Sequence, residues 1–194
     1  HRGDINFYDY IKNDLTFNSD NYRNIEPRFS LRYKLNTTSS VKTSYTENYQ
    51  YIHLASTSSV SLPTDLWVPS STAIKPKFSK QYALGYFKNF NDNMYETSLE
   101  GYYKEMTNLI EYKEGFLPED NTNQSSDNSF TFGTGDSYGI ELLLKKNQGK
   151  TTGWIGYTLS KTTRYFDEVN NGIEFPAKYD RRHDLSITAT HKLS

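Results

Sequence analysis

The sequence predicts an all-β fold: part of an antiparallel transmembrane β-barrel, with short turns at one end of its strands and long loops at the other. Three observations support this prediction. Several segments alternate apolar and polar residues with a period of two, which is typical of strands that present two different faces. The connections between these segments are alternately short and long. The composition is polar overall yet rich in aromatic residues, which suits strands with lipid on one side and water on the other.

The composition excludes several classes of protein. The chain has 194 residues, no cysteine and a net charge of -1. It is therefore long enough for one domain, has no disulfide framework or thiolate metal site, and lacks the strongly basic balance of a nucleic-acid-binding protein. Hydrophobic residues make up only 35% of the chain, but 17 Tyr and 11 Phe argue against disorder. No apolar run is long enough for a membrane-spanning helix.

The first two predicted strands form a hairpin. Residues 28–35 alternate between large apolar side chains and basic or small polar ones, and residues 41–54 continue the alternation after a polar turn at 36–39. A period of two places the apolar residues of each strand on one face of a sheet. A long connection follows at about 55–77, and its three prolines keep it out of a sheet interior.

The third and fourth strands form the next hairpin. Residues 82–90 lead through a turn at 91–93 into residues 94–113, which contain no strand breaker except Gly101. At ~3.3 Å per residue and a tilt of about 45°, a strand of roughly twenty residues rises about 45 Å. The outward apolar band of a barrel is only about 25 Å tall, so this strand is expected to project well beyond the membrane. A loop rich in Asn, Ser and Asp follows at 115–134.

The central hairpin carries the clearest signal in the sequence. Its arms, 138–146 and 151–161, alternate between large apolar residues and small or polar ones, and its turn at 147–149 contains a glycine. A third long loop is expected at 162–179, and the last of about seven strands begins near Arg181, where apolar residues again recur at every second position.

The lengths of the connections decide which way the apolar faces look. An outer-membrane barrel has short periplasmic turns and long extracellular loops, whereas a soluble sandwich has no reason to sort its turns in this way. The apolar faces are therefore expected to look outward. The residues predicted to face lipid are Phe29, Leu31, Tyr33, Tyr82, Leu84, Tyr138, Ile140, Leu142, Leu144, Ile155, Tyr157 and Leu159. Those predicted to face the lumen are Arg28, Arg32, Glu141 and Lys145.

Six segments carry a likeness to a known family. They are EPRFSLRY at 26–33, PTDLW at 63–67, LEGYYK at 99–104, YGIELLLKK at 138–146, GWIGYTLSK at 153–161 and FPAKYDRRHD at 175–184. In this order they resemble the barrel of TonB-dependent outer-membrane receptors, and most closely those of the Bacteroidetes group. The resemblance extends from about residue 25 to the end of the chain. Residues 1–24 match nothing in it and are interpreted as a loop or the end of a strand.

The resemblance implies an origin and a function for the chain. Residues 1–194 are expected to be an internal fragment of one barrel domain of about 22 strands, in the bacterial outer membrane, without the plug, the TonB-binding segment and the C-terminal strands. The implied function is active uptake of a scarce ligand, such as a ferric siderophore, a cobalamin or a glycan. The implied partners are outer-membrane lipid, the plug, TonB and that small ligand, and neither an enzymatic activity nor a cofactor is expected.

The densest charge cluster, at 180–184, permits a second hypothesis, an outer-membrane barrel hydrolase with its site between Arg181 and Asp184. Carboxylates and a histidine are able to form a metal or hydrolytic site. However, no second histidine lies at ligand spacing and no serine motif is nearby. We therefore predict an ion-paired network on the lumen wall or at the strand mouth, with no catalytic and no metal-binding residue. A third hypothesis, a soluble all-β binding module, would bury the outward residues between two sheets.

Four residues in the predicted outer loops are candidates for ligand contact: Asp65, Trp67, Phe116 and Tyr165. Trp67 is favoured among them because it lies between two prolines in a long outer loop. The competing interpretation of such aromatic residues is an interfacial girdle, in which amphipathic rings lie at the level of the lipid headgroups, or simple packing within the loops.

Overall fold

Strands make up nearly all of the regular structure in this chain. A computed structural model describes residues 22–55, 66–113 and 129–193. The strands are β1 (Arg28–Lys34), β2 (Ser39–Gln50), β3 (Ile52–Ala55), β4 (Leu66–Pro69), β5 (Lys77–Phe90), β6 (Tyr95–Tyr112), β7 (Phe130–Lys146), β8 (Thr151–Phe166), β9 (Phe175–Pro176) and β10 (His183–His191). A short 3-10 helix spans Asn170–Gly172. The described residues contain no helix with the length and hydropathy that crossing a membrane would take.

Seven of the strands form one antiparallel sheet. Their order is β1-β2-β5-β6-β7-β8-β10, with the short β9 paired to β8, while β3 and β4 form a separate two-stranded sheet. Within the large sheet each strand lies beside the next long strand of the sequence, which is the meander expected of a barrel wall. The predicted antiparallel all-β fold, part of a barrel, is confirmed.

The turns are sorted by length as the sequence predicts. Short turns at 35–38, 91–94 and 147–150 join strands at one end of the sheet, and the long connections lie at the other end. In the turn between β5 and β6, Asn91, Asp92 and Asn93 have φ values of 48°, 50° and 65°. Asn and Asp tolerate this left-handed region better than other residues with a side chain, so the turn sequence suits its geometry.

The strand register gathers the apolar residues on one side of the sheet, called here the apolar face. Residues directly opposite each other in neighbouring antiparallel strands project from the same side. One such row contains Leu31, Thr43, Leu84, Gly101, Ile140 and Leu159. All twelve residues predicted to face lipid lie on this face and are 37–68% exposed. They are not buried between two sheets, which contradicts the hypothesis of a soluble module.

The opposite side, called here the polar face, is the more crowded one. Ser98 and Ser137 are buried there, although the large Ile140 and Leu142 on the apolar face are exposed. Side chains converge on the concave side of a curved sheet and diverge on its convex side, so the sheet curves around its polar face. This is the reverse of a soluble barrel, in which the apolar side chains fill the concave interior.

Polar contacts across neighbouring strands organise the polar face. Arg32 Nε donates a hydrogen bond to Ser40 Oγ at 3.0 Å, and Lys145 Nζ lies 3.7 Å from a carboxylate oxygen of Glu96. The Lys145–Glu96 pair is solvent-accessible and contributes little to stability, whereas Ser40 is buried. The position of these contacts fits a surface that faces water.

Three strands are longer than predicted at the end with the long connections. The structure starts β5 at Lys77 rather than Tyr82, starts β7 at Phe130, and ends β8 at Phe166 rather than Lys161. The predicted loops at 115–134 and 162–179 are therefore wrong in the parts adjoining these strands. The reason is that consecutive residues such as Phe130 and Thr131 are both buried there, so these strand ends lack the two-faced alternation from which the strands were recognised.

The second strand does not continue to Leu54 as predicted. It ends at Gln50, and after one bent residue β3 begins and pairs with β4. The connection predicted at 55–77 therefore contains a strand of its own. Its last residue, Pro69, lies opposite Ile52 in a two-stranded sheet, where both strands are edges and a missing N–H is tolerated.

A β-bulge interrupts β6 near its outer end. The register shifts between Met106 and Leu109, where Thr107 and Asn108 together oppose Thr134. Asn108 has a left-handed φ of 56°, and its side-chain Nδ2 donates to the carbonyl oxygen of Pro76 at 3.0 Å. Bulges bend a strand and increase its twist. This one separates the two-faced part of the sheet from the covered part beyond it.

Candidate functional site

The part of the sheet beyond the bulge, called here the outer extension, comprises residues 106–112, 130–135 and 163–166. A buried cluster lies on each of its faces, while Phe132 and Tyr165 remain partly exposed. By strand alternation, the cluster on the side of the apolar face consists of Ala55, Val68, Ile74, Ile110, Tyr112 and Phe130. The cluster on the side of the polar face consists of Leu109, Phe166 and Val169, with Met106 and Phe175 against it. The outer extension therefore has a core of the kind that a water-soluble domain has.

The hairpin of β3 and β4 forms part of that cover and has two unlike faces. Its inner face carries His53, Ala55 and Val68, which are all buried, and Ala55 and Val68 belong to the cluster on the outer extension. Its outer face carries Ile52 and Trp67, and the Trp67 side chain is 62% exposed. Val68 and Trp67 are consecutive residues of β4 and project from opposite faces of the hairpin. The buried contacts of Val68 on the inner face therefore fix the position of Trp67 on the outer face.

His53 is held in the neutral form beneath the hairpin. Its Nε2 atom lies 3.1 Å from Ser70 Oγ. Burial, and secondarily the nearby charge of Lys77, lower the pKa of His53 below its ordinary value. A neutral imidazole with a hydroxyl partner is a satisfied packing residue, so His53 stabilises the hairpin.

Aromatic and apolar side chains surround a depression at the outer end of β2 and β3, called here the aromatic platform. It has a volume of about 580 Å3 and is lined by Tyr49, Gln50, Tyr51, Ile52 and Trp67. The Tyr49 ring packs against the Phe78 ring with centroids 4.7 Å apart. The platform contains no nucleophile or acid–base pair, and its chemistry is that of stacking and apolar contact.

The predicted ligand contacts are not gathered in one place. Trp67 lines the platform, whereas Tyr165 lies at the end of β8, where its hydroxyl donates to Asp167 Oδ1 at 2.7 Å. A second depression of about 580 Å3 lies beside that end, and Tyr165 is not among the residues that line it. Asp65 and Phe116 lie outside the described residues. Sequence reasoning did not identify Tyr51 and Ile52 as neighbours of Trp67, because only the unforeseen pairing of β3 with β4 brings them together.

The charge cluster at the start of β10 is a set of ion pairs. Arg182 lies 3.4 Å from Asp180, and Arg181 lies 3.7 Å from Asp184. Asp180 Oδ1 also accepts a hydrogen bond from the Thr162 backbone N–H at 2.7 Å, which ties the segment before β10 to β8.

Strand geometry prevents His183 and Asp184 from acting together. They are consecutive residues of β10, opposite Leu159 and Thr158, so they project to opposite faces of the sheet. His183 Nδ1 lies 2.7 Å from the Tyr157 hydroxyl, not from a carboxylate. In the parts of the chain that the structure describes, no three His, Asp or Glu side chains could hold a metal ion together.

Two rows of aromatic side chains bound the apolar face. The outer row, in register across five strands, contains Phe29, Tyr45, Tyr82, Tyr103 and Tyr138. The inner row, beside the short turns, contains Phe90 and Tyr95 with Lys146. Eight residues of β6 separate the rows, about 20 Å in height at a strand tilt of ~40°. That is close to the ~25 Å apolar band of an outer-membrane barrel with its two aromatic girdles.

Charged side chains replace apolar ones directly beyond the outer row. Glu47, Lys80, Glu105 and Asp136 occupy the next register position on the same face. The Tyr45 hydroxyl bonds to Glu47, and the Tyr103 hydroxyl donates to Asp136 Oδ1 at 2.8 Å. A ring on the apolar face with its hydroxyl bound to a charged group beyond that face is the arrangement expected at a membrane–water interface.

Comparisons with known proteins agree with this geometry. The family model described as TonB dependent receptor-like, beta-barrel matches residues 4–193. A similar solved structure is that of the ferripyoverdine receptor of the outer membrane of Pseudomonas aeruginosa bound to ferripyoverdine. It shares 19% identity and a TM-score of 0.60, and the match covers 87% of this chain and 20% of that receptor. No curated protein matches the sequence.

The family model covers nearly the whole chain, and the solved receptor shares its fold. Members of this family are transport receptors and not enzymes, which overturns the hypothesis of a barrel hydrolase. The chain therefore belongs to the TonB-dependent receptor β-barrel family and forms part of the wall of a barrel in the bacterial outer membrane.

Proposed function

We propose that the chain is the portion of a receptor barrel that captures a scarce ligand outside the cell for active uptake driven by TonB. The complete receptor would have about 22 strands, a plug inside the barrel and a segment that binds TonB. The polar face, with Arg28, Arg32, Glu141 and Lys145, would face that plug and the water around it, and the apolar face would face lipid.

One observation supports capture by the aromatic platform. Trp67 is mostly exposed although its hairpin is anchored by a buried inner face. Exposing a large ring to water forfeits the free energy that its burial would give, and rigidly held loop residues on a stable scaffold are typical binding residues. The platform lies beyond the charged positions that end the apolar face, so lipid does not account for its exposure.

The platform favours a ligand that carries a flat ring system. Tyr49, Tyr51 and Trp67 offer faces and edges for stacking, and Ile52 adds apolar surface. Ferric siderophores with aromatic groups fit this chemistry best, and cobalamin and glycans are the other candidates. The solved receptor of similar fold was crystallised with ferripyoverdine, which makes ferric siderophores the first class to test. On the segment resemblance we also assign the receptor to the Bacteroidetes group.

A Trp67→Ala substitution in the full-length receptor tests the platform. Binding of a panel of ferric catecholate and hydroxamate siderophores, cyanocobalamin and oligosaccharides is measured by titration, and uptake of the ligand that binds is measured in cells. We expect Trp67→Ala to weaken binding about tenfold or more, the effect of losing at least ~1.4 kcal/mol of contact energy. The matched control is Tyr179→Ala, which removes an exposed aromatic side chain outside the platform.

Ligand capture by the platform and active transport would be contradicted by different results. Equal binding by the Trp67→Ala and Tyr179→Ala receptors would remove the platform from ligand capture and leave the transport function standing. Uptake that continues at the same rate in cells without TonB would overturn active transport itself.

A further inference from the structure

A groove crosses the apolar face at Gly101. In register, Gly101 lies between Leu84 of β5 and Ile140 of β7, and Leu99 and Tyr103 flank it on its own strand. All four neighbours on this face are large, so the missing side chain leaves a gap among them. The groove has a volume of about 940 Å3.

The fold does not require a glycine at this position. Gly101 is not among the glycines with a positive φ, and a Cβ added to it would meet nothing nearer than the Gly139 carbonyl oxygen at 3.8 Å. By contrast, a Cβ on Gly139 would lie 2.9 Å from the Leu159 carbonyl oxygen. A glycine inside a strand weakens the strand and often marks a place where a ligand approaches closely.

The depth of the groove identifies the medium that fills it. Gly101 lies two residues inside the outer aromatic row at Tyr103 and six residues from the inner row at Tyr95. At a strand tilt of ~40° these separations correspond to about 5 Å and about 15 Å in height. The groove therefore lies within the hydrocarbon layer, in the leaflet on the side of the long loops, where lipid chains surround the apolar face.

The outer end of the groove carries a lysine, Lys161, whose ammonium lies 4.0 Å from a carboxylate oxygen of the exposed Glu174. An accessible pair at this distance is weak, so the ammonium remains able to contact a phosphate. Lys161 lines the groove and lies opposite Tyr138 in register, on the apolar face and level with the outer aromatic row. A lysine at this level extends its apolar stem along the surface and places its ammonium among the headgroups. An apolar groove with an ammonium at its outer end is complementary to a lipid that has an acyl chain below a phosphate.

We propose that the groove around Gly101 binds one acyl chain of an outer-leaflet lipid, with the phosphate of that lipid at Lys161. The groove then differs from the rest of the apolar face, which contacts exchanging lipid. This inference depends on the membrane location of the barrel and not on the identity of the transported ligand.

Filling the groove tests the proposal. The full-length receptor and its Gly101→Leu variant are reconstituted in nanodiscs of palmitoyl-oleoyl phosphatidylglycerol, released, and analysed by native mass spectrometry for retained lipid. We expect Gly101→Leu to lower the occupancy of the most strongly retained lipid about tenfold. The matched control, Ala189→Leu, adds the same side chain on the apolar face of β10, away from the groove, and should retain lipid as the wild type does. Equal retention in all three proteins would overturn the proposal.

A second measurement does not depend on the folding of the glycine variant. A benzophenone amino acid replaces Ile140 in the groove wall or, as control, Ile187, which is also exposed on the apolar face. After exchange from nanodiscs into detergent, illumination should yield a lipid adduct at position 140 and little at 187, and Lys161→Gln should reduce the adduct. Equal lipid yields at both positions, or a protein adduct at 140, would contradict an acyl-chain site.

Discussion

A single strand, β7, passes through two regions in which apolar side chains differ in exposure. On the same face of this strand, Ile140 is 55% exposed whereas Phe130 is only 3% exposed. Ile140 lies in the part of the sheet between the two aromatic rows, and Phe130 lies in the outer extension under the β3–β4 hairpin. This difference shows that alternation along the strand determines from which side of the sheet a residue projects. The surrounding medium determines whether protein must cover that residue.

The physical reason lies in the hydrophobic effect. In the proposed placement of the barrel, lipid removes the apolar face from water as effectively as a protein core does, so no protein layer is needed between the aromatic rows. Beyond the outer row water returns, and apolar side chains there are stabilised only by other parts of the chain. The connections between strands supply that cover, which explains why both buried clusters lie in the outer extension.

The largest effect is expected from opening the core of the outer extension. Phe166→Ala removes a fully buried ring that packs with Leu109 and Val169 and should destabilise the extension by about 3–5 kcal/mol. Hydrogen exchange of the full-length receptor should then show lost protection in the outer ends of β6, β7 and β8. Tyr165→Ala, at the exposed neighbouring position, is the control. Similar exchange in both variants would mean that the extension has no core of its own.

A smaller effect is expected from placing a charge on the apolar face. Leu142 lies midway between the aromatic rows, and Leu142→Arg should cost about 2–4 kcal/mol because its charge enters the hydrocarbon. The adjacent Leu143 projects from the polar face, opposite Ser98 and Gly156, so Leu143→Arg should be nearly neutral. The measurement is the folded fraction after refolding the receptor into lipid vesicles. If the two variants fold equally well, the assignment of the faces is wrong.

The smallest effect is expected at the bulge that separates the two regions. Asn108→Ala loses the hydrogen bond to Pro76 and places alanine at a left-handed φ, at a cost of about 1–2 kcal/mol. Asn108→Gly loses the same hydrogen bond but tolerates the backbone conformation. Thermal unfolding of the receptor in detergent should therefore rank wild type, Asn108→Gly and Asn108→Ala in decreasing order of stability. A variant with alanine at least as stable as the one with glycine would show that backbone strain is absent.

Much of the candidate site could not be predicted from the sequence. Trp67 was identified as a candidate from its position between prolines. Its grouping with Tyr51 and Ile52 was not predicted, because four-residue strands such as β3 and β4 carry too few alternations to be recognised. Only the structure shows that His53 is buried and anchors the hairpin. Gly101 was noted in the sequence only as a strand breaker. The gap around it was not predicted, since a glycine alone does not reveal which side chains surround it.

The sequence by itself determined the long strands of the sheet, their order, the face of each alternating residue and the sorting of turns by length. These properties depend on local alternation and turn chemistry, which neighbouring residues encode. Only the tertiary structure decided the register that aligns the tyrosines of the outer row, the bulge at Asn108, and the packing of the connections over the outer extension. These features depend on packing between residues distant in the chain, such as the cluster that contains both Val68 and Phe130, and no local pattern specifies which distant segment will cover an apolar side chain.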